Sequence, residues 1–188
     1  MNDRHKNYGA KPAYPRIWLM TDARIDVHLL AAVQMLPFGS GIIFRHYHLD
    51  MATRRNLFVK VRRIAKRRGH QILLAGDEQT ALRWHADGLH DRAGRRTASS
   101  RMIRSAAVHN ATEIAQAGRI GADLFFLSPL FATNSHPGAR PLGRLRFSAL
   151  AKLCGGAVIA LGGITMRTGA TLKGRFTHGW AGIDAFKR

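Results

Sequence analysis

Apolar residues in this chain fall into short blocks separated by segments of helical periodicity. The blocks read as buried strands at residues 16–20 (RIWLM), 41–45 (GIIFR), 71–75 (QILLA), 87–90, 103–108, 123–127, 157–161 (AVIAL) and 179–183. Runs of four to six apolar residues bounded by glycine, proline and polar residues suit strands buried on both faces. Helices are expected between them at 25–36, 53–68, 79–85, 110–118, 147–154 and 165–173. Thr53 is the expected cap of the second helix, with Gly69 as its stop, and Asn110 or Thr112 the cap of the fourth. Residues 91–100 (DRAGRRTASS) carry the weakest structural signal and read as a loop.

Eight strands interleaved with helices predict α/β architecture: a compact (β/α)8 TIM barrel. Right-handed crossovers would bring the C-terminal ends of all strands to one mouth. The first 15 residues read as an N-terminal arm, and 16–188 as a single domain. At 188 residues the chain is short for this fold, which takes roughly 250. The last helix is therefore expected to be missing. The arm or a partner subunit would cover the apolar surface left behind, which favours a homodimer.

Composition narrows the class without naming a reaction. A single cysteine, Cys154, rules out an internal disulfide framework. The polar, basic start has no apolar segment of a secretory signal, and no apolar run approaches a membrane span. A soluble, cytoplasmic protein is expected. Thirty Lys and Arg against eleven Asp and Glu give a net charge of +19. The densest basic cluster, Lys60, Arg62, Arg63, Lys66, Arg67 and Arg68, alternates with apolar Leu57, Phe58, Val61, Ile64 and Ala65 at helical spacing. It reads first as the solvated face of an amphipathic helix, with non-specific polyanion or nucleic-acid binding as the alternative. No wording of a sequence-specific nucleic-acid module occurs.

Candidate chemistry collects at the strand ends. GADLFFLSPLFATNSHPGARPLG (121–143) is an apolar strand running into a loop of Thr, Asn, Ser, His, Gly and Pro, and VIALGGIT (158–165) is a strand running into paired glycines. Together, in this order, they resemble the thiamine-phosphate synthase and thiazole tautomerase superfamily over roughly residues 16–186. The resemblance implies a transferase that joins a hydroxymethylpyrimidine pyrophosphate to a thiazole phosphate and releases pyrophosphate. A site for this reaction must neutralise the leaving pyrophosphate, usually with Mg²⁺, and hold a second phosphate on backbone amides.

The residues implied follow from the matched motifs. GIIFRHY places Arg45 where the family's arginine grips pyrophosphate, a task suited to a planar fork. LLAGDE places Asp77 at a Mg²⁺ aspartate; capping of the next helix is its structural alternative. AAVHN makes His109 the acid/base candidate, as in the tautomerase branch, unless it is a packed or capping histidine. ATNSHP supplies the hydroxyls of Thr133 and Ser135, with His136 in place of the family's lysine, or else forms a turn. Gly162 and Gly163 match the phosphate loop.

The chain also departs from the family pattern. Tyr47 replaces a lysine, Gly76 an asparagine, Arg95 the second metal aspartate and Ala107 a serine, while Asp91 lies four residues early. Asp184 falls on a phosphate-contacting serine, where a carboxylate would repel the ligand. The leading expectation is a divergent synthase. The alternatives are a tautomerase that uses His109 without metal, a non-catalytic binding protein for a thiamine-related phosphate, and a polyanion-binding scaffold.

Overall fold

The computed structural model describes residues 14–91, 102–133, 138, 140–172 and 176–186. Eight parallel strands close into a barrel in sequence order: β1 (Ile17–Met20), β2 (Gly41–Phe44), β3 (Gln71–Ala75), β4 (Gly88–Asp91), β5 (Ile103–Val108), β6 (Leu124–Leu127), β7 (Ala157–Ala160) and β8 (Gly179–Gly182). Closure is made by β1 on β8, with Ile17 opposite Trp180, Trp18 opposite Ala181 and Leu19 opposite Gly182. The predicted (β/α)8 architecture is what forms.

Six α-helices lie among the described residues: α1 (Leu29–Met35), α2 (Met51–Arg67), α3 (Glu78–Arg83), α4 (Ala111–Arg119), α5 (Gly143–Ala151) and α6 (Met166–Ala170). After β8 the described chain has only a 3-10 turn, Asp184–Phe186, whose Phe186 ring stacks on Trp180 at 5.6 Å. None of these helices is long and apolar enough to cross a membrane. The expected N-terminal arm lies outside the described residues, except that Tyr14 and Pro15 are pinned to the barrel. His178 bonds the Tyr14 carbonyl at 2.8 Å, and Trp18 Nε1 donates to the Pro15 carbonyl at 2.7 Å.

Several boundaries differ from the sequence expectation for local reasons. The first helix is split into a 3-10 segment, Ala23–His28, capped by Asp22, and the α-helix that follows. The basic helix starts earlier than Thr53, because Asp50 accepts the amides of Ala52 at 2.9 Å and Thr53 at 3.0 Å. A short acid one residue before the helix satisfies two of its orphan donors at once. The fifth helix begins at Gly143 rather than at residue 147. Asn110, not Thr112, caps α4 by accepting the Glu113 amide at 2.9 Å.

On α2, Phe58, Val61 and Ala65 are buried, while Arg55, Lys60, Arg63, Lys66 and Arg67 face outward. The basic run is thus the solvent face of an amphipathic helix.

The barrel interior is aromatic. Trp18 meets Phe126 edge-on at 5.5 Å, and His90 meets Phe126 edge-on at 5.3 Å, so β1, β4 and β6 touch across the lumen. Gly41 makes room for this arrangement: a Cβ built there would lie 2.2 Å from the Trp18 ring. Trp18 is fully buried and cannot swing aside. Gly41→Ala is therefore expected to destabilise the protein by about 1–3 kcal/mol through overpacking. Chemical denaturation would check this, with a lower midpoint at unchanged slope as the expected result.

Candidate active site

A cavity of about 600 Å³ opens at the C-terminal ends of the strands. Its polar lining includes Arg45, His109, Thr133, Gly162, Gly163 and Asp184, and its apolar lining includes Met20, Leu161 and Ile164. Five candidate residues chosen from sequence, Arg45, His109, Thr133, Gly162 and Gly163, thus share one space. Asp77 does not line it, and Ser135 and His136 lie outside the described residues.

Arg45 follows directly on β2, and its orientation is set by the end of β1. Its amide donates to Thr21 Oγ1 at 2.9 Å, its Nε donates to the Thr21 carbonyl at 2.9 Å, and its Nη2 donates to the Asp22 carboxylate. Burial draws the Arg45 pKa down, and the Asp22 charge opposes that pull. Asp22 in turn accepts Arg24 Nε at 2.9 Å, and Arg24 Nη1 reaches Asp184 Oδ2 at 3.2 Å. An ion chain Arg45–Asp22–Arg24–Asp184 therefore links the ends of β2, β1 and β8 around the mouth. Burial raises the Asp22 pKa, but the hydrogen bonds and charges of Arg24 and Arg45 outweigh it and leave the carboxyl below its usual range.

Across the cavity, the glycine loop is held against the loop after β6. Gly162 and Gly163 have φ of +94° and +63°, a region that side-chain-bearing residues rarely enter. Space also excludes a side chain there: a Cβ on Gly162 would lie 2.6 Å from Pro129 Cα, and one on Gly163 2.1 Å from the Ala132 carbonyl. The two loops are stitched by Leu130 N–H to the Leu161 carbonyl at 2.8 Å and Phe131 N–H to the Gly162 carbonyl at 3.1 Å. The amides of Gly162 and Gly163 find no protein acceptor among the described residues. They are donors available to a ligand.

His109 lies just past β5. Glu113 on α4 accepts both the His109 amide, at 2.8 Å, and a hydrogen bond at Nδ1, at 2.7 Å. The far nitrogen of the ring has no hydrogen-bond partner among the described residues. Burial pushes the Glu113 carboxyl up, yet its bonds to His109 and Asn110 bring it below the usual value.

Asp77 caps α3 by accepting the Thr80 amide at 2.8 Å, which is the main cause of its lowered pKa. It is exposed and ionised at neutral pH. The described residues hold no group of three metal-ligating side chains. A Mg²⁺ there would take one protein carboxylate and depend on phosphate oxygens and water for the rest, a pattern this ion accepts.

The thiamine monophosphate synthase family profile matches residues 18–186. The chain belongs to this family. Similar proteins include a thiamine-phosphate synthase of Chloroflexus aurantiacus, 26% identical with 90% of this chain and 84% of the relative aligned, and a putative thiamine-phosphate synthase 2 of Aquifex aeolicus, 29% identical over 92% and 97%. Among solved structures, a thiamine phosphate pyrophosphorylase of Pyrococcus furiosus superposes with a TM-score of 0.75 at 19% identity, covering 90% of this chain and 86% of that one. That likeness carries the fold.

Family membership gives the departures their meaning. Tyr47 is exposed at the mouth, Gly76 follows β3, and Ala107 lies within β5. Asp91 ends β4, and Arg95 lies outside the described residues. Asp184 does line the cavity, but it carries the Arg24 partner noted above, which offsets its charge. Sequence reasoning missed the roles of Asp22 and Arg24. Asp22 stood in plain view at the end of the first strand; the link from Arg24 to Asp184 gave no signal, since the two are 160 residues apart.

His46, beside Arg45, is buried and ties two elements together. Its Nδ1 bonds Thr21 Oγ1 at 2.8 Å and its Nε2 bonds Asp26 at 2.9 Å. Burial holds its pKa below the usual 6.5; Asp26 opposes this, while His48 and Arg54 reinforce it. The unfolded chain then takes up a proton at mildly acidic pH that the folded chain refuses, so stability falls as pH drops through about 6.5. The melting temperature is expected to fall between pH 7.5 and pH 5.5, with a shallower fall in His46→Gln. An unchanged slope in the variant would assign the effect elsewhere.

Proposed function

We propose that this protein is a divergent thiamine-phosphate synthase-like transferase that joins a hydroxymethylpyrimidine pyrophosphate to a thiazole phosphate. The observation that carries this reading is the cavity itself. It sets an oriented arginine, Arg45, and two glycine amides that have no acceptor among the described residues around one largely apolar space in a chain of this family.

In the reaction, the bond from the pyrimidine methylene to the pyrophosphate oxygen breaks, and its electrons leave with pyrophosphate. The thiazole nitrogen then closes on the methylene carbon. Arg45, with Nε and Nη2 held by Thr21 and Asp22, presents its remaining nitrogen to the leaving group without reorganising. Gly162 and Gly163 would take the thiazole phosphate, and Thr133 and Ser135 would hydrogen-bond the substrates. His136 stands where the family's lysine would add charge, and its charge would vary with pH. Asp77 would hold Mg²⁺, whose contribution is to neutralise the leaving pyrophosphate. The apolar lining from Met20, Leu161 and Ile164 keeps water from the electron-poor methylene.

The His109–Glu113 pair favours a second reading, a thiazole tautomerase, because one oriented acid/base residue suffices for that proton transfer.

Thiamine phosphate formation in Asp77→Asn, His109→Asn and Arg45→Gln separates the two readings. For the synthase, Arg45→Gln is expected to lower kcat/KM by about 10²–10³. Asp77→Asn should weaken magnesium dependence, and His109→Asn should change little. A tautomerase would instead lose about 10²–10⁴ of thiazole isomerisation in His109→Asn and be indifferent to Asp77→Asn.

A further inference from the structure

Arg54, on the first turn of α2, is a charged residue that the reading above does not use. It is 8% exposed. Its Nε donates to the Arg45 carbonyl at 2.9 Å and its Nη2 to the Ala75 carbonyl at 2.6 Å, so it bridges the ends of β2 and β3. Three rings surround the guanidinium, with Tyr47 at 5.2 Å, Trp84 at 5.7 Å and Phe44 at 5.9 Å from its carbon. Among the described residues it makes no salt bridge. Burial draws the Arg54 pKa down although the charge of Asp77, too far for an ion pair, opposes it, and a bound anion would relieve the remaining cost.

The third nitrogen, Nη1, has no hydrogen-bond partner among the described residues, and it is not sealed from solvent. It faces Gly76. A Cβ built on Gly76 would have Arg54 Nη1 at 3.9 Å as its sole neighbour within 4 Å, so the glycine leaves this face of the guanidinium open. Asp77, the candidate magnesium residue, is next in the chain. Two departures from the family pattern thus meet at one group. Tyr47, where a lysine charge is lost, stacks on Arg54, and Gly76, where an asparagine side chain is lost, uncovers it.

We propose that Arg54 is the second cation of the diphosphate subsite, with Nη1 meeting a pyrophosphate oxygen across Gly76 while Nε and Nη2 position Arg45 and the end of β3. This rests on the synthase reading and names a contact within it. Arginine suits both tasks because one planar fork can bind two carbonyls and still offer a charge-assisted donor.

The test uses the 188-residue protein with ¹⁵N-labelled arginine, titrated with inorganic pyrophosphate with and without magnesium. Arg54→Lys identifies the Arg54 side-chain signal. The expected result is that the Arg54 and Arg45 signals move on one saturation curve. Arg54→Met should weaken pyrophosphate binding at least about tenfold, the loss of one charge-assisted contact, and Tyr47→Lys in that background should recover part of it. In steady-state assays the defect should fall on KM for the pyrimidine pyrophosphate and not on KM for the thiazole phosphate. If pyrophosphate binds and moves Arg45 while Arg54 stays still in the wild-type protein, the proposal is overturned and the synthase reading stands. If pyrophosphate moves neither signal, both fall.

Discussion

The pairing of β1 with β8 is the constraint on which everything else depends. Without it the eight parallel strands would form an open sheet, and the ends of β1, β2, β7 and β8 would not face one another. Closure requires a filled interior, since a barrel of this size holds side chains and not solvent. Trp18, Phe126 and His90 fill it, and Gly41 supplies the space that Trp18 needs. A rigid interior holds the mouth residues at fixed separations, as a site that works by preorganised charge demands.

The mouth has an electrostatic division of labour. On the β1–β2–β8 side, arginines and aspartates alternate along Arg45–Asp22–Arg24–Asp184, so that charge is balanced and side chains are locked. On the β6–β7 side, backbone amides at Gly162 and Gly163 provide donors with no formal charge. Asp184 reads as an obstacle to phosphate when considered alone; joined to Arg24, it becomes part of the brace that aims Arg45. Arg54 adds a charge that makes no salt bridge among the described residues, with Asp77 acting on it only from a distance, at the point where β2 and β3 end.

The fold was largely legible because its signal is local. Runs such as LFFL and QILLA are buried along nearly their full length, and a chain that repeats such runs between helical segments has few alternatives. Gly162 and Gly163 were legible for the same reason, as the end of a strand followed by paired glycines. Helix starts were less so. Thr53 is an acceptable cap by type, but Asp50 reaches two amides from a better position, and only the backbone path decides between them. Long-range partnerships left no trace in the pattern. Arg24 with Asp184, and Arg54 with the Ala75 carbonyl, join positions far apart in the chain, and the local motif that identifies Arg45 carries no sign of what holds it.

The central claim is that the cavity between Arg45 and the glycine loop transfers a pyrimidine from pyrophosphate to a thiazole. Its most direct test is a single-turnover reaction with the purified wild-type protein in excess, following thiamine phosphate and pyrophosphate together in the presence of magnesium. The account predicts one pyrophosphate released for each thiamine phosphate formed, with both depending on the thiazole phosphate concentration. Folded protein that binds both substrates and forms no thiamine phosphate would contradict it.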